Sequence, residues 1–393
     1  MKISNSGEIF DYLQDGFLRV KQMGKQRITI KNFDFSGERF DGSWGYFDFV
    51  DCDFSSAHTI QLDWLINCTF TDCRFRGNFG FGQTLDVRFV RCNIEGESHL
   101  GFDWESKNLI FEECKFTNPN SDPNHMGSIL SGNEVMFMGC KTRNIAWGGD
   151  KKLTLKNCIV SNGSLDTASP AMYSDKSKMP YSDFLIEDCD LRGGAEMINA
   201  RLQSFTMRRC KLRTFALQGS VIRGDALFED IKEGFLRAAA DYQGKLIVRN
   251  CDFLGNGGEE YSFECSGDTP THTLLENLTC GRKPIDIIRQ RKPITKWDDP
   301  PPNKQIVIKN CKIPHLRADW AQTEHLRIEN CELGEVYIRD GRIGKLEIIG
   351  CSLMKLDVSR TQVKEQDVRV REGGKISGHV TVTEGSNIKL LPR

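Results

Sequence analysis

The sequence predicts an all-β fold in which parallel coils of about 20 residues stack on one another as a β-helix. Three observations predict it. First, cysteine recurs at Cys52, Cys73, Cys92, Cys114, Cys140, Cys158, Cys189, Cys210, Cys251, Cys311, Cys331 and Cys351, at intervals near 20 or near 20 plus an insertion. Second, each sits in one repeated phrase, as in LTLKNCIV (153–160), FLIEDCDL (184–191), FTMRRCKL (205–212), LIVRNCDF (246–253), IVIKNCKI (306–313) and LRIENCEL (326–333). Apolar residues fall at −5, −3 and +2 from the cysteine, with a polar pair just before it, and this alternation is strand-like. Third, the inward pairs from Leu326 onward step strictly by five: Leu326/Ile328, Cys331/Leu333, Val336/Ile338, Gly341/Ile343, Leu346/Ile348, Cys351/Leu353, Leu356/Val358 and Thr361/Val363. Two residues in and a polar corner make one side of a coil, and four sides close it. Each coil then pairs with the last as parallel strands ~4.8 Å apart.

The elements follow in order. SNSGEIFDYLQDG (4–16) predicts a short capping helix within an N-terminal cap of residues 1–27. Asn5 or Ser6 is its N-cap, Ile9, Phe10 and Leu13 face the coils, and Gly16 ends it. ITIKNFDF (28–35) carries Phe33 in the cysteine slot and starts the first coil of a β-helix spanning 28–372. Residues 220–243 fit two readings. The apolar spacing of DALFEDIKEGFLRAAADY suits a helix, whereas Ile231 in the vacant slot suits a coil. The register kept on both sides favours the coil. Long excursions break the register near 161–183, 255–272 and 281–304, with smaller ones near 117–130 and 144–150. Residues 373–393 alternate like closing strands that cover the last open edge.

Several five-residue phrases carry a family resemblance. FDFSG (33–37), CDFSS (52–56), CTFTD (68–72), CRFRG (73–77), CDLRG (189–193) and CDFLG (251–255) share a small or apolar residue, a polar one, Leu or Phe, and two more residues. The chain resembles a degenerate pentapeptide-repeat protein over most of 28–370, and its unequal coils resemble the wider right-handed parallel β-helix class, which includes pectate-lyase-like proteins. The resemblance implies action by binding. Some pentapeptide-repeat proteins mimic duplex DNA and protect topoisomerases, and others serve as bacterial effectors or immunity factors. DNA mimicry needs a strongly negative rod, and a net charge of −1 from 53 basic and 54 acidic residues argues against it.

The fifteen cysteines read as small buried hydrophobes, because no CxxC pair or zinc-ligand spacing occurs. No cofactor motif is present: Gly255–Gly258 lacks the Lys-Ser/Thr of a phosphate loop. With no membrane-span pattern and no secretory leader, the expectation is a cytoplasmic chain, or one exported without a classical signal. Acidic residues before the slot (Asp51, Asp72, Glu113, Asp188) alternate with Arg209 and Lys156 along one edge, the mixed-sign ladder that solubility requires. No grouping of nucleophile, base and acid stands out, so the chain leans away from catalysis.

Candidate binding residues are of two kinds. Asp63-Trp64 and Asp103-Trp104 fall at +11/+12 from their slots, with Ser43-Trp44 above them and Asp319-Trp320 near the far end. They either fill the fourth side of the coil or form an aromatic–acidic surface of the kind that grips sugars or anchors a protein interface. The second kind is the 281–304 excursion, with Arg289 and Arg291 among five cations and then Trp297, Asp298 and Asp299. Its basic stretch 281–293 offers phosphate contacts, although flanking acids and a lack of interleaved aromatics make nucleic acid the weakest partner. The leading expectation is a non-catalytic rod binding a protein partner. The alternative is a carbohydrate-active β-helix, hydrolase or lyase, working through the aromatic–acidic face.

Overall fold

The computed structural model describes residues 27–37, 39–55, 57, 59–76, 79–95, 106–117, 129–130, 133–142, 145–147, 151–161, 165–167, 181–253, 263–265, 271–281, 285–286 and 303–370. Every regular element among them is a β-strand, and these strands pair in parallel, as a β-solenoid requires. Contacts divide the chain into two units, Met1–Ala195 and Glu196–Arg393.

In the first unit one wall is built from eight rungs: β1 (Ile28–Lys31), β2 (Phe47–Val50), β3 (Thr69–Thr71), β4 (Phe79–Val90), β5 (Lys107–Glu112), β6 (Glu134–Met138), β7 (Lys152–Lys156) and β8 (Ser182–Glu187). Each pairs with the next, so Ile30, Phe49, Phe70, Phe89, Phe111, Phe137, Leu155 and Ile186 form one inward column at the −3 position. Phe49, Phe70, Phe89, Phe111 and Phe137 stack ring on ring at 4.8, 4.8, 4.9 and 5.0 Å. Those spacings match the distance between rungs. A second column at +2 stacks Phe35, Phe54 and Phe75 and meets the first edge to face.

The second unit repeats the wall with β9 (Arg201–Arg208), β10 (Ala226–Glu229), β11 (Lys245–Arg249), β12 (His272–Glu276), β13 (Asn303–Lys309), β14 (Gln322–Glu329), β15 (Arg342–Cys351) and β16 (Gln362–Val370). Its −3 column runs Met207, Phe228, Val248, Leu275, Ile308, Ile328, Ile348 and Val368. From Ile306 the partners are Leu326 and then Leu346, so the coil is 20 residues long. The inward pairs read from the sequence are all buried. Residues 220–243 form a coil, with short strands at Val221–Ile222, Phe235–Arg237 and Asp241–Tyr242 and Ile231 wholly buried in the slot.

All fifteen cysteines are buried and free. The slot has a hydrogen-bonding reason beyond size. Cys92 Sγ donates to the carbonyl of Val90 and to that of Phe70 on the preceding coil, and Cys331 does the same to Glu329 and Ile308. Leu278 fills the slot between Cys251 and Cys311, so branched apolar residues are accepted there. Among the described coils the residue before the slot is left-handed, with φ of 52–64° at Asn32, Asp51, Asp72, Arg91, Glu113, Gly139, Asn157, Asp188, Arg209, Asp230, Asn250, Asn277, Asn310, Asn330 and Gly350. Asn, Asp and Gly tolerate that region best, and their recurrence ahead of the slot follows from it. The predicted N-terminal helix, the closing strands of 373–393 and most of the three excursions lie outside the described residues.

Candidate functional site

Outward side chains on both units are largely spent on one another. Arg91 pairs with Asp72 at 2.7 Å, Arg249 with Glu229 at 2.6 Å, Lys309 with Glu276 at 2.8 Å and Arg339 with Asp319 at 2.6 Å. Each joins adjacent coils: the first three make the edge before the slot a ladder of coil-to-coil ties, and the fourth ties coils at the corner beside Trp320. The densest knot surrounds Glu347, which lies 2.7 Å from Lys345 Nζ, 2.7 Å from His325 Nε2 and 3.4 Å from Arg327 Nη1. Lys345, with His325 beside it, holds the Glu347 carboxyl below the usual carboxylate range. Such a compensated carboxylate is a poor general acid at neutral pH. Burial pushes the thiols of Cys68 and Cys251 up to about 12, which keeps them protonated and unreactive. Among the described residues no three His, Cys, Asp or Glu side chains group as metal ligands.

The tryptophan series separates. Trp44 is 2% exposed and packs against Phe49 with ring centroids 5.3 Å apart, so it belongs to the core. Trp64, by contrast, is 43% exposed. A register shift in the pairing of Arg39–Gly45 with Thr59–Ile66 is the cause: Gly42 faces Leu62, but Ser43 faces Trp64 and Trp44 faces the buried Leu65. One extra residue turns the following side chains to the other face. Asp63 is exposed beside Trp64. Asp103, Trp104, Arg289, Arg291, Trp297, Asp298 and Asp299 lie outside the described residues.

Trp64 borders a surface trough of about 500 Å3 in the first unit. Strand pairing sets Trp64 beside Gln83, Leu65 beside Thr84 and Ile66 beside Leu85, and then Leu85 beside Lys107. Asn133 N–H donates to Ser106 O at 2.7 Å, and Asn133 O accepts from Lys152 N–H at 2.8 Å, which carries the trough on to Lys151. The trough therefore crosses five successive coils, ~19 Å along the stack at ~4.8 Å per step. Leu85 is 42% exposed on its rim. Thr84 Oγ1 and Asn133 Oδ1 are buried without a hydrogen-bond partner among the described residues. Lys107 and Lys151 are exposed and make no ion pair among the described residues. Among the described residues no carboxylate lines the trough.

The second unit has its own exposed indole. Trp320 is 45% exposed and left-handed, with φ of 66°. Asn199, Gly219, Asp340 and Arg360 are the left-handed residues at the same corner of other coils. A second depression, of about 410 Å3, runs along Asn277, Asn310 and Asn330 beside the Lys312–Glu332 pair.

The sequence singled out Trp64 and Trp320 but missed Gln83, Leu85, Lys107, Asn133 and Lys151. These come from coils of unequal length, so no fixed spacing connects them. In comparisons with known proteins, no family model, curated protein or solved structure matches this chain.

Proposed function

We propose that this protein is a non-catalytic solenoid that binds a macromolecular partner, in the first instance a protein, in the manner of a bacterial effector, immunity factor or inhibitor. The observation that carries this reading is Trp320. A tryptophan in the left-handed region costs about 1–3 kcal/mol, and the fold does not require it there. Asp and Arg occupy the same corner one and two coils away. An indole kept exposed against its backbone preference has the makings of an interface anchor. The charge ladder around it supports binding over catalysis, because its carboxylates are already engaged by cations. The five-residue phrases support a pentapeptide-repeat-like ancestry, whose members act mainly by binding.

The test is the Trp320→Asn variant. Asparagine suits the left-handed corner, so stability should hold or rise by up to about 1 kcal/mol. Capture of partners from a bacterial lysate, scored by quantitative mass spectrometry, should fall at least tenfold for the specific species. Unchanged capture would remove the anchor and the reading with it.

A second reading, recognition of carbohydrate, is favoured by the trough beside Trp64. We take it as a binding reading, because among the described residues no carboxylate lines the trough. The nucleic-acid reading rests on residues 281–293, most of which are outside the described residues.

A further inference from the structure

We infer that the trough of the first unit binds an acidic oligosaccharide, one whose rings carry carboxylate or sulfate groups as well as hydroxyls. The inference rests on the chain acting as a non-catalytic binder and names the ligand class of one site. Three features of the trough each ask something different of a ligand. The exposed face of Trp64 asks for a flat apolar surface, such as the C–H face of a sugar ring. Lys107 and Lys151 ask for negative charge. They make no ion pair among the described residues, unlike Arg91, Arg249 or Lys309 on the ladder.

The third feature is shape, which a small anion such as phosphate cannot fill. The trough runs across the strands for about 19 Å, so its ligand is linear and lies along the stack. Its volume of about 500 Å3 lies within the range of small-ligand sites.

An acidic peptide shares the charge but fits less well. The strands beneath are already paired on both sides, so a peptide cannot add as a further strand. Lying across them, it would bring a backbone amide and carbonyl from every residue to a surface with few partners for them. A sugar keeps its outer hydroxyls in water.

The experiment uses the full chain on an array of uronate-containing, sulfated and neutral oligosaccharides, followed by titration of hyaluronan hexasaccharide and of the best array hit. Poly-L-glutamate of matched charge is the peptide arm. The expected result is binding to acidic glycans, at least tenfold tighter than to neutral ones of the same length, and weaker at raised salt. Lys107→Gln and Lys151→Gln should each weaken it several-fold. Trp64→Ala should weaken it tenfold or more, while Trp64→Phe retains most of it. These side chains are exposed, so the thermal midpoint should not move, and that measurement guards against a folding artefact.

No acidic glycan bound anywhere on the array overturns the inference. So does poly-L-glutamate binding equally tightly through the same three residues, which would make the trough an acidic-peptide site. Trp320-dependent capture is measured on the same preparations. If it persists while the array is blank, only the ligand class has failed.

Discussion

The two units build the same wall with different side chains. In the first, the −3 column is phenylalanine from Phe49 to Phe137, stacked at 4.8–5.0 Å with rings within 15° of parallel. In the second, Ile308, Ile328 and Ile348 hold that position. Coil length differs with them. Partners along the aromatic column are unequally spaced in sequence, as Phe89, Phe111, Phe137 and Leu155 show. The aliphatic column steps by 20 from Ile308 to Val368. A flat ring matches the rung spacing by itself and specifies its neighbour's position strongly. One such wall keeps register while the rest of the perimeter varies. Branched aliphatics interdigitate less specifically, and there a constant perimeter shares the task. The trough lies among the unequal coils of the first unit, where unlike residues come together. The strict-repeat coils from Ile308 onward instead show repeated charge pairs.

The largest effect should come from the feature both units share. Cys331→Asp in the second unit and Cys73→Asp in the first would each place a carboxylate in a dry slot, and each should destabilise by more than about 4 kcal/mol. Cys331→Ala loses two weak S–H contacts, the sulfur acceptor of the Cys311 N–H and little volume, so about 1 kcal/mol is expected. Denaturant titration of the purified variants measures both. In the wild type, a thiol reagent should find no reactive cysteine until the chain unfolds.

A smaller effect separates the walls. Phe70 stacks on Phe49 and Phe89 and meets Phe54 and Phe75 edge on, so Phe70→Ala should cost about 3–5 kcal/mol. Ile328→Ala has fewer atoms to lose, and about 2–4 kcal/mol is expected. Hydrogen exchange resolved by peptide should show the Phe70 variant opening neighbouring coils while the strict-repeat coils of the second unit stay protected. Equal losses in both units would refute the idea that the aromatic wall alone carries register.

Much of this was legible in the sequence because it is local. Alternation at −5, −3 and +2 reports the strand period, and a recurring small residue reports a tight slot. Cys331 to Val363 could be placed inward by counting in fives. The left-handed corner was also written there, since Asn or Asp stands before the slot at Asn250, Asn310, Asn330 and Asp188. Read only as polarity, that signal lost its backbone meaning. Trp44 and Trp64 show what counting cannot reach. A single-residue shift after Gly42 sends one indole inside and leaves the other out. A bulge is set by how two coils pair, not by either sequence alone. Lys107 and Lys151 meet at the trough because coils of unequal length pair there, which no fixed count along the sequence reaches.

The smallest expected effect concerns charge. In the second unit the carboxyls of Asp340, Glu335 and Glu347 are held below their ordinary range, by Arg360, Tyr337 and Lys345 respectively. In the first unit Arg91 does the same for Asp72. A carboxyl depressed in the folded state stabilises the fold above its unfolded pKa, and that contribution disappears as pH falls through the folded value. Acidification below about pH 4 should therefore loosen these coils. The second unit, with three such groups among the described residues, should lose more hydrogen-exchange protection than the first. Most of these ion pairs are at least partly exposed and screened, so raised salt should shrink the difference. The first unit, whose register rests on stacked rings, should respond little to either change. If it opened first in acid, the division of labour between aromatic stacking and charge pairing would have to be reversed.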